Sequence, residues 1–200
     1  MFRSGAGGSW SPPPSCVCSE MRIQDTEIPG VRLVEAEPAT DERGAFARLY
    51  CPEEFRAAGV AFTAAQASLS RNTAALTLRG MHYQAPPHGE AKLVHVTRGA
   101  VFDVALDLRR DSPTFRRWLG VRLDAETLSA LFIPEGCAHG FLTLAPDTDV
   151  LYHMSRIFEP GWGRGVRWDD PAFAIDWPAH PQVISDRDAG YADFGGPDNG

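Results

Sequence analysis

Short runs that alternate apolar and polar residues follow one another along most of the chain from Met21 onward. Turn residues, chiefly glycine, proline and aspartate, separate these runs at close intervals, a pattern typical of an all-β sandwich or barrel. Parallel strands need crossover connections of about a dozen residues or more, and the links here are shorter. The pattern therefore predicts an all-β fold, an antiparallel β jelly roll with a few short helices.

The clearest local unit is a predicted hairpin over residues 92–108, where Arg98-Gly99 separates two runs rich in β-branched and aromatic residues. The best helix signal covers residues 52–59, with a proline suited to the first turn and Gly59 suited to the C-terminal cap. Further strands are predicted at residues 30–36, 45–50, 76–84, 131–134, 140–144 and 149–158.

Length and composition place one compact domain at residues 21–190, because 200 residues with 44% hydrophobic content are enough for a single core. The glycine- and proline-rich residues 1–20 are expected to be a disordered leader, with Met21 as the natural start, and residues 191–200 a polar tail. The leader lacks the apolar segment of a secretory signal. No cysteine spacing indicates zinc or a disulfide framework, which favours a reducing cytoplasm.

Charge and hydropathy exclude two kinds of partner. A net charge of −7 without a basic block argues against binding to nucleic acid. No apolar run approaches the roughly 20 residues of a membrane helix. The motifs of dinucleotide enzymes, phosphoryl-transfer enzymes and serine hydrolases are also missing from the sequence, which leaves cofactor-free acid–base chemistry by His, Tyr, Asp and Lys.

A metal site remains an alternative. The sequence has no H-x-H pair, no H-E-x-x-H motif and no cysteine pair with zinc spacing, so no metal is expected. His82, Glu90 and His139 could still converge as a site of two histidines and one carboxylate for non-haem iron.

Reactive side chains concentrate around residues 76–94. Arg79 and His82 would face opposite ways in a regular strand, but Gly80 between them is a natural place for a bulge, and both could then face one cavity. Lys92 lies on the next predicted strand. Taken alone, each of these residues is more often structural than catalytic. The same holds for Tyr152, whose apolar strand neighbours are typical of a core tyrosine.

Eight collinear blocks resemble the dTDP-4-dehydrorhamnose 3,5-epimerase family, and the match as a whole covers residues 22 to about 190. They are DERGAF, LRGMHYQ, EAKLV, FDVALDLR, SPTF, IPEGCAHGF, VLYHMS and RWDDPAFAIDWP. The resemblance implies a cupin-type jelly roll that forms homodimers, uses no metal or cofactor and acts on a nucleotide sugar.

The resemblance also implies a role for particular residues. His82 is similar to the general base, Asp188 to the carboxylate that orients it, Tyr152 to the opposing acid and Lys92 to the cation near the ketone oxygen. Residues similar to substrate contacts are Arg43, Gln66, Arg79, His139 and Arg187. The implied reaction inverts C3 and C5 of dTDP-4-dehydro-6-deoxy-D-glucose through enolisation beside the C4 ketone.

Departures from the family pattern keep other functions open. Arg48 stands where a glutamate is usual, the segment beginning at Gln66 reads Q-A-S in place of Q-D-N, and a glutamate expected after Tyr152 falls near Gly163. These changes affect substrate contacts, so an epimerase acting at one carbon of a related sugar is the nearest alternative. A metal-dependent cupin and a non-catalytic sugar-nucleotide binder are the others.

Overall fold

Two stacked antiparallel sheets form the body of the protein. The computed structural model describes residues 20–195, so the expected leader lies outside the described residues apart from Glu20. In chain order, the elements are β1 (Met21–Asp25), β2 (Arg32–Ala36), β3 (Ala39–Asp41), β4 (Gly44–Phe46), α1 (Pro52–Ala57), β5 (Gln66–Asn72), β6 (Leu78–Gln84), β7 (Lys92–Arg98), β8 (Ala100–Asp107), β9 (Trp118–Asp124), β10 (Ser129–Ile133), β11 (Cys137–Thr143), β12 (Thr148–Met154), β13 (Gly163–Gly165) and α2 (Asp186–Ala189).

The strand order confirms the predicted all-β class. One sheet has six strands in the order β1-β2-β10-β7-β12-β5, the other has five in the order β13-β6-β11-β8-β9, and β3 pairs with β4 as a separate hairpin. All registers between these strands are antiparallel. Neither helix within residues 20–195 has the length and apolar character needed to span a membrane.

Apolar side chains pack in three layers. The central layer lies between the sheets and includes Val94, Leu131 and Phe141. A second layer, around Phe55 of α1, covers the outer face of the six-stranded sheet. A third layer covers the outer face of the five-stranded sheet with C-terminal residues that extend to Phe194, within the segment expected to be a polar tail. Burial on both faces of each sheet explains why several strands are apolar throughout.

The predicted hairpin over residues 92–108 is wrong. Both strands form, but β7 pairs with β10 and β12, whereas β8 pairs with β9 and β11 in the other sheet. A two-residue type I′ hairpin needs positive φ at both central residues, and of Arg98 and Gly99 only the glycine has it, at φ +74°. The segment is therefore a corner at which the chain changes sheets.

Other local predictions differ in outcome. The helix at residues 52–59 is confirmed as α1, and Gly59 follows it with φ +76°. The strand predicted at 45–50 is wrong beyond Phe46, where β4 ends. The strand predicted at 149–158 ends at Met154. Strands that the sequence did not indicate are β1, β3, β5, β9 and β13.

Candidate active site

A cavity of about 360 Å³ lies between the sheets. Strands β5, β7 and β12 supply one wall, and β6, β11 and β13 supply the other. Most of the predicted site residues line it, namely Gln66, Arg79, His82, Lys92, His139, Tyr152 and Arg187. Asp188 lies behind His82 and contacts it. The residues that the sequence analysis grouped are thus brought together, with the exception of Arg43.

A bulge in β6 turns Arg79 and His82 to the same side. His139 of β11 lies opposite His82, and Phe141 lies opposite Arg79, so β6 contains one more residue than β11 between these pairs. The bulge includes Gly80, as predicted, with φ +133°. A Cβ atom there would lie 2.5 Å from the Cα of Gly140, so this close approach of two backbones requires glycine.

His82 and Asp188 form a hydrogen-bonded pair at the cavity wall. The distance from His82 Nε2 to Asp188 Oδ1 is 2.7 Å, and the Gly80 N–H donates to Asp188 Oδ2 at 3.2 Å. Ser185 caps the short helix α2 through the Asp188 N–H, which fixes the carboxylate. Burial alone would raise the pKa of Asp188, but the hydrogen bond and charge of His82 hold it below its ordinary value. An ionised Asp188 can only accept hydrogen bonds, so His82 Nε2 carries the proton and donates a hydrogen bond to the carboxylate. His82 Nδ1 is then the basic atom of the ring.

Tyr152 faces the cavity from the opposite sheet. It lies on β12, and its ring packs edge to face against His139 with 5.6 Å between ring centroids. Burial, with the negative charge of Asp103 as a second cause, raises its pKa well above the ordinary value for tyrosine. The side chain is therefore a neutral phenol that can donate a proton throughout the physiological pH range.

A second His–Asp pair lies beneath Tyr152. His139 Nε2 is 2.7 Å from Asp103 Oδ1, and the two side chains are 4% and 0% exposed. The second oxygen of Asp103 is buried without a hydrogen-bond partner in the described part of the chain. The sequence analysis did not single out Asp103, although an aspartate within the apolar strand FDVAL was a usable signal.

Lys92 is the buried cation of the site. Its Nζ donates to the His82 carbonyl oxygen at 3.2 Å and lies 3.3 Å from Glu90 Oε1. Burial lowers the pKa of Lys92, while the charge of Glu90 and a hydrogen bond to it act in the opposite direction. Lys92 thus links the wall that holds His82 to the wall that holds Tyr152.

Arginines and one aromatic ring surround the outer part of the cavity. Arg79 donates to Asn72 Oδ1 at 2.8 Å, which orients its guanidinium, while Arg164 and Arg187 also line the cavity. Phe158 lines the same cavity and is 53% exposed. Planar guanidinium groups suit phosphate oxygens, and an exposed ring suits a stacked aromatic ligand.

Two residues that the sequence linked to substrate contacts lie away from the cavity. Arg43 sits in the turn between β3 and β4, where it pairs with Asp41 and its side chain is 85% exposed. Arg48, at the position of a usual glutamate, forms an ion pair with Glu54 of α1. Gly163 does line the cavity, and the space beside it is bordered by Phe158 and Arg187.

The alternative iron site is not formed. Among residues 20–195, no group of three or more His, Cys, Asp or Glu side chains is arranged to hold a metal ion. Glu90 pairs with Lys92 and accepts from Gln84, while His139 is bound to Asp103. A larger cavity of about 670 Å³ adjoins the site and shares Tyr83, Gln84 and Arg164 with it, but His82 and His139 line the smaller one.

Fold and site together define a cupin-type jelly-roll enzyme with acid–base groups on facing walls and cations for an anionic ligand. The family model described as dTDP-4-dehydrorhamnose 3,5-epimerase matches residues 25–195. The dTDP-4-dehydrorhamnose 3,5-epimerase of Shigella flexneri is 40% identical over 84% of this chain and 93% of its own length. The chain therefore belongs to the dTDP-4-dehydrorhamnose 3,5-epimerase family, which confirms the resemblance found in its sequence.

Two further comparisons bear on ligand and reaction. The crystal structure of the Bacillus anthracis dTDP-4-dehydrorhamnose 3,5-epimerase, with TDP and PPi bound, has a TM-score of 0.85 and 36% identity, and the alignment covers 88% of this chain and all of that one. A dTDP-4-dehydrorhamnose 3-epimerase of Streptomyces niveus is 39% identical over 84% of this chain and 81% of its own. Proteins acting at one carbon and at two are thus similar to this chain.

Proposed function

We propose that the protein inverts C3 and C5 of dTDP-4-dehydro-6-deoxy-D-glucose to give dTDP-4-dehydro-L-rhamnose. The observation that carries this proposal is that His82 and Tyr152 lie on facing sheets around one cavity. Inversion needs a proton to leave one face of the sugar ring and another to arrive on the opposite face. A base and an acid on opposite walls supply both steps.

The chemistry follows from the C4 ketone, which acidifies the hydrogens on C3 and C5. His82 Nδ1 takes the proton as the C–H bond breaks, and the electron pair moves onto the ketone oxygen as an enolate. Lys92 stabilises that negative charge, and Asp188 stabilises the imidazolium. The Tyr152 hydroxyl then donates a proton to carbon from the other face. No net oxidation or reduction occurs, so the reaction requires no redox cofactor.

Cations around the cavity support a nucleotide diphosphate as the anionic part of the substrate. Arg79, Arg164 and Arg187 can donate in pairs to phosphate oxygens despite the acidic balance of the whole chain. The exposed ring of Phe158 offers a stacking surface for the base. The nucleotide bound by the Bacillus anthracis relative supports the choice of dTDP.

A single-carbon epimerase is the second candidate function. The similarity to the Streptomyces niveus 3-epimerase favours it, as do the positions where substrate contacts differ. Arg48 pairs with Glu54, and Gly163 presents no side chain to the cavity. Both functions use the same acid and base, so they differ in whether the cavity holds the ring for a second enolisation after the first.

We also propose that the enzyme is a cytoplasmic homodimer. The β3–β4 hairpin carries Arg43 and Phe46, of which Phe46 is 74% exposed, and among the described strands the hairpin pairs only with itself. An exposed aromatic side chain on such a hairpin suits contact with a second copy, which would bring Arg43 to the partner's cavity. The free thiols of Cys51 and Cys137 fit a reducing compartment.

Solvent exchange tests the proposal. The protein is incubated with dTDP-4-dehydro-6-deoxy-D-glucose in deuterated water, and deuterium entry at C3 and C5 is followed by NMR. We expect exchange at both carbons, slowed about 100-fold or more in His82→Ala, because that variant lacks the base. Exchange at one carbon would support the single-carbon epimerase. Exchange at the wild-type rate in His82→Ala would refute the assignment of the base.

A further inference from the structure

Glu90 lies against the site with both carboxylate oxygens engaged. Oε1 is 3.3 Å from Lys92 Nζ, and Oε2 accepts from Gln84 Nε2 at 3.1 Å. The side-chain oxygen Oε1 of Gln84 accepts in turn a hydrogen bond from the Glu159 backbone N–H at 2.9 Å. This chain of contacts runs from a backbone amide through two side chains to the lysine. It fixes the carboxylate on Lys92 and leaves it little freedom to bind elsewhere.

The environment of Lys92 makes such a partner important. The Lys92 and Glu90 side chains are 9% and 8% exposed, so water solvates the ammonium poorly. Outside the pair, Lys92 Nζ donates a hydrogen bond to the His82 carbonyl oxygen. A buried lysine without a carboxylate loses its proton readily, and a neutral amine cannot stabilise an enolate oxygen by charge.

We propose that Glu90 is a positioning residue that holds Lys92 in place as an ammonium ion directed at the ketone oxygen of the substrate. The inference rests on the proposed function, because it assigns Glu90 through the role of Lys92 in that reaction. It explains why a carboxylate lies in a cavity built for an anionic ligand. Glu90 balances the positive charge of Lys92, and it has no ion pair with the arginines that line the same cavity, Arg79, Arg164 and Arg187, among the described residues.

Other ionisable groups also face Lys92 and set the background to this effect. Asp103 of β8 adds a second, weaker attraction to the ammonium. The remaining groups that line the cavity around it are Arg79, His82, Tyr83, His139, Tyr152, Arg164 and Arg187. Without the charge of Glu90, burial and the nearby arginines disfavour the ammonium form of Lys92, and Asp103 is the main group that still favours it. The pKa of Lys92 must then fall, and the ammonium is lost as the pH rises through that lower value.

The sequence provides a direct readout, because Lys92 is its only lysine. Protein labelled with lysine carrying ¹³C at Cε gives one side-chain resonance, whose titration reports Lys92 without interference. We would record this titration and the pH profile of kcat/KM for wild type, Glu90→Gln and Glu90→Asp. Glu126→Gln, the same neutralisation on an exposed turn, is the matched control. Thermal unfolding of each variant checks that the fold is kept.

In Glu90→Gln, we expect the Lys92 resonance to titrate at lower pH, and kcat/KM at alkaline pH to fall about tenfold or more. The loss should shrink as the pH is lowered, and Glu90→Asp should recover part of it. A Lys92 titration equal to that of wild type in folded Glu90→Gln would overturn the proposal. If the titration moves but the pH profile does not, Glu90 still sets the charge of Lys92, and the role of Lys92 in the proposed function fails instead.

Discussion

The side chains of the site owe their different protonation behaviour to small differences in surroundings. Asp188 is 4% exposed, yet two hydrogen bonds keep its carboxyl ionised. Tyr152 gains no comparable compensation, so burial keeps its phenol neutral. Separation of this kind, with one group held charged and another held protonated, lets a single cavity hold a base and an acid at the same pH.

Replacement of Tyr152 by phenylalanine separates the contribution of the hydroxyl proton from that of the packed ring. The ring packs against His139 and fills the cavity wall, and Phe keeps that packing. We expect Tyr152→Phe to lower kcat by about 100-fold or more, because the donor to carbon is lost, with a small change in KM. Steady-state kinetics alongside thermal unfolding would check this. A variant that unfolds much more easily, but turns over normally per folded molecule, would mean that the hydroxyl is structural.

Among the elements, β6 determines how the site is assembled. Its bulge brings Arg79 and His82 to one side, and its pairing with β11 places His82 opposite His139 and Arg79 opposite Phe141. The glycine at the bulge combines a positive φ with direct contact between backbones. A side chain at residue 80 would therefore strain the backbone and push β6 away from β11.

Gly80→Ala should destabilise the fold by about 3 kcal/mol or more, since the new Cβ would lie 2.5 Å from Gly140 Cα. Gly59→Ala is the matched control. That residue has φ +76° at the end of α1, but no atom lies within 4 Å of the added Cβ, so only the backbone strain of about 1 kcal/mol remains. Chemical denaturation of both variants would measure the difference. Equal losses would show that the contact with β11 adds nothing.

Strands were predictable where one apolar pattern dominated, and not where the cavity required polar side chains. The strand β5 reads QASLSRN, and its polar residues Gln66, Ser68 and Ser70 line the cavity, so it lacks the signal of a buried strand. The bulge at Gly80 was predictable because a glycine between Arg79 and His82 is a natural place for one. The pairing partners of β7 and β8 were not, because local turn signals do not specify the sheet that a strand joins.

For the molecule as a whole, the outer layer around α1 makes the stability of the fold depend on pH. Its aromatic rings stack over the six-stranded sheet, where Tyr50 packs on Phe62 and on His153. His95 lies beneath them, 2% exposed, with its Nδ1 buried and without a hydrogen-bond partner in the described part of the chain. Both histidines must stay neutral for this layer to pack, because an imidazolium there would lack a counter-ion among the contacts seen.

Stability should therefore decline in mild acid, with His95 as one identifiable cause. Burial, with the neighbouring His153 as second cause, lowers the pKa of His95 from 6.5 to about 4. Between these values the unfolded chain binds the proton and the folded chain does not, so the stabilisation present above pH 6.5 is lost as the pH falls towards 4. The loss amounts to about 3 kcal/mol.

His95→Gln removes this titration and keeps a side-chain donor in place. We expect its Tm to fall less than that of wild type between neutral pH and about pH 4.5, whatever its value at neutral pH. Calorimetry across this range would measure both slopes, with His180→Gln, at an exposed histidine, as the matched control. Parallel Tm curves for wild type and His95→Gln would mean that carboxylates alone govern the acid response. A shallower curve for His95→Gln would identify His95, in the layer around α1, as a source of the acid response.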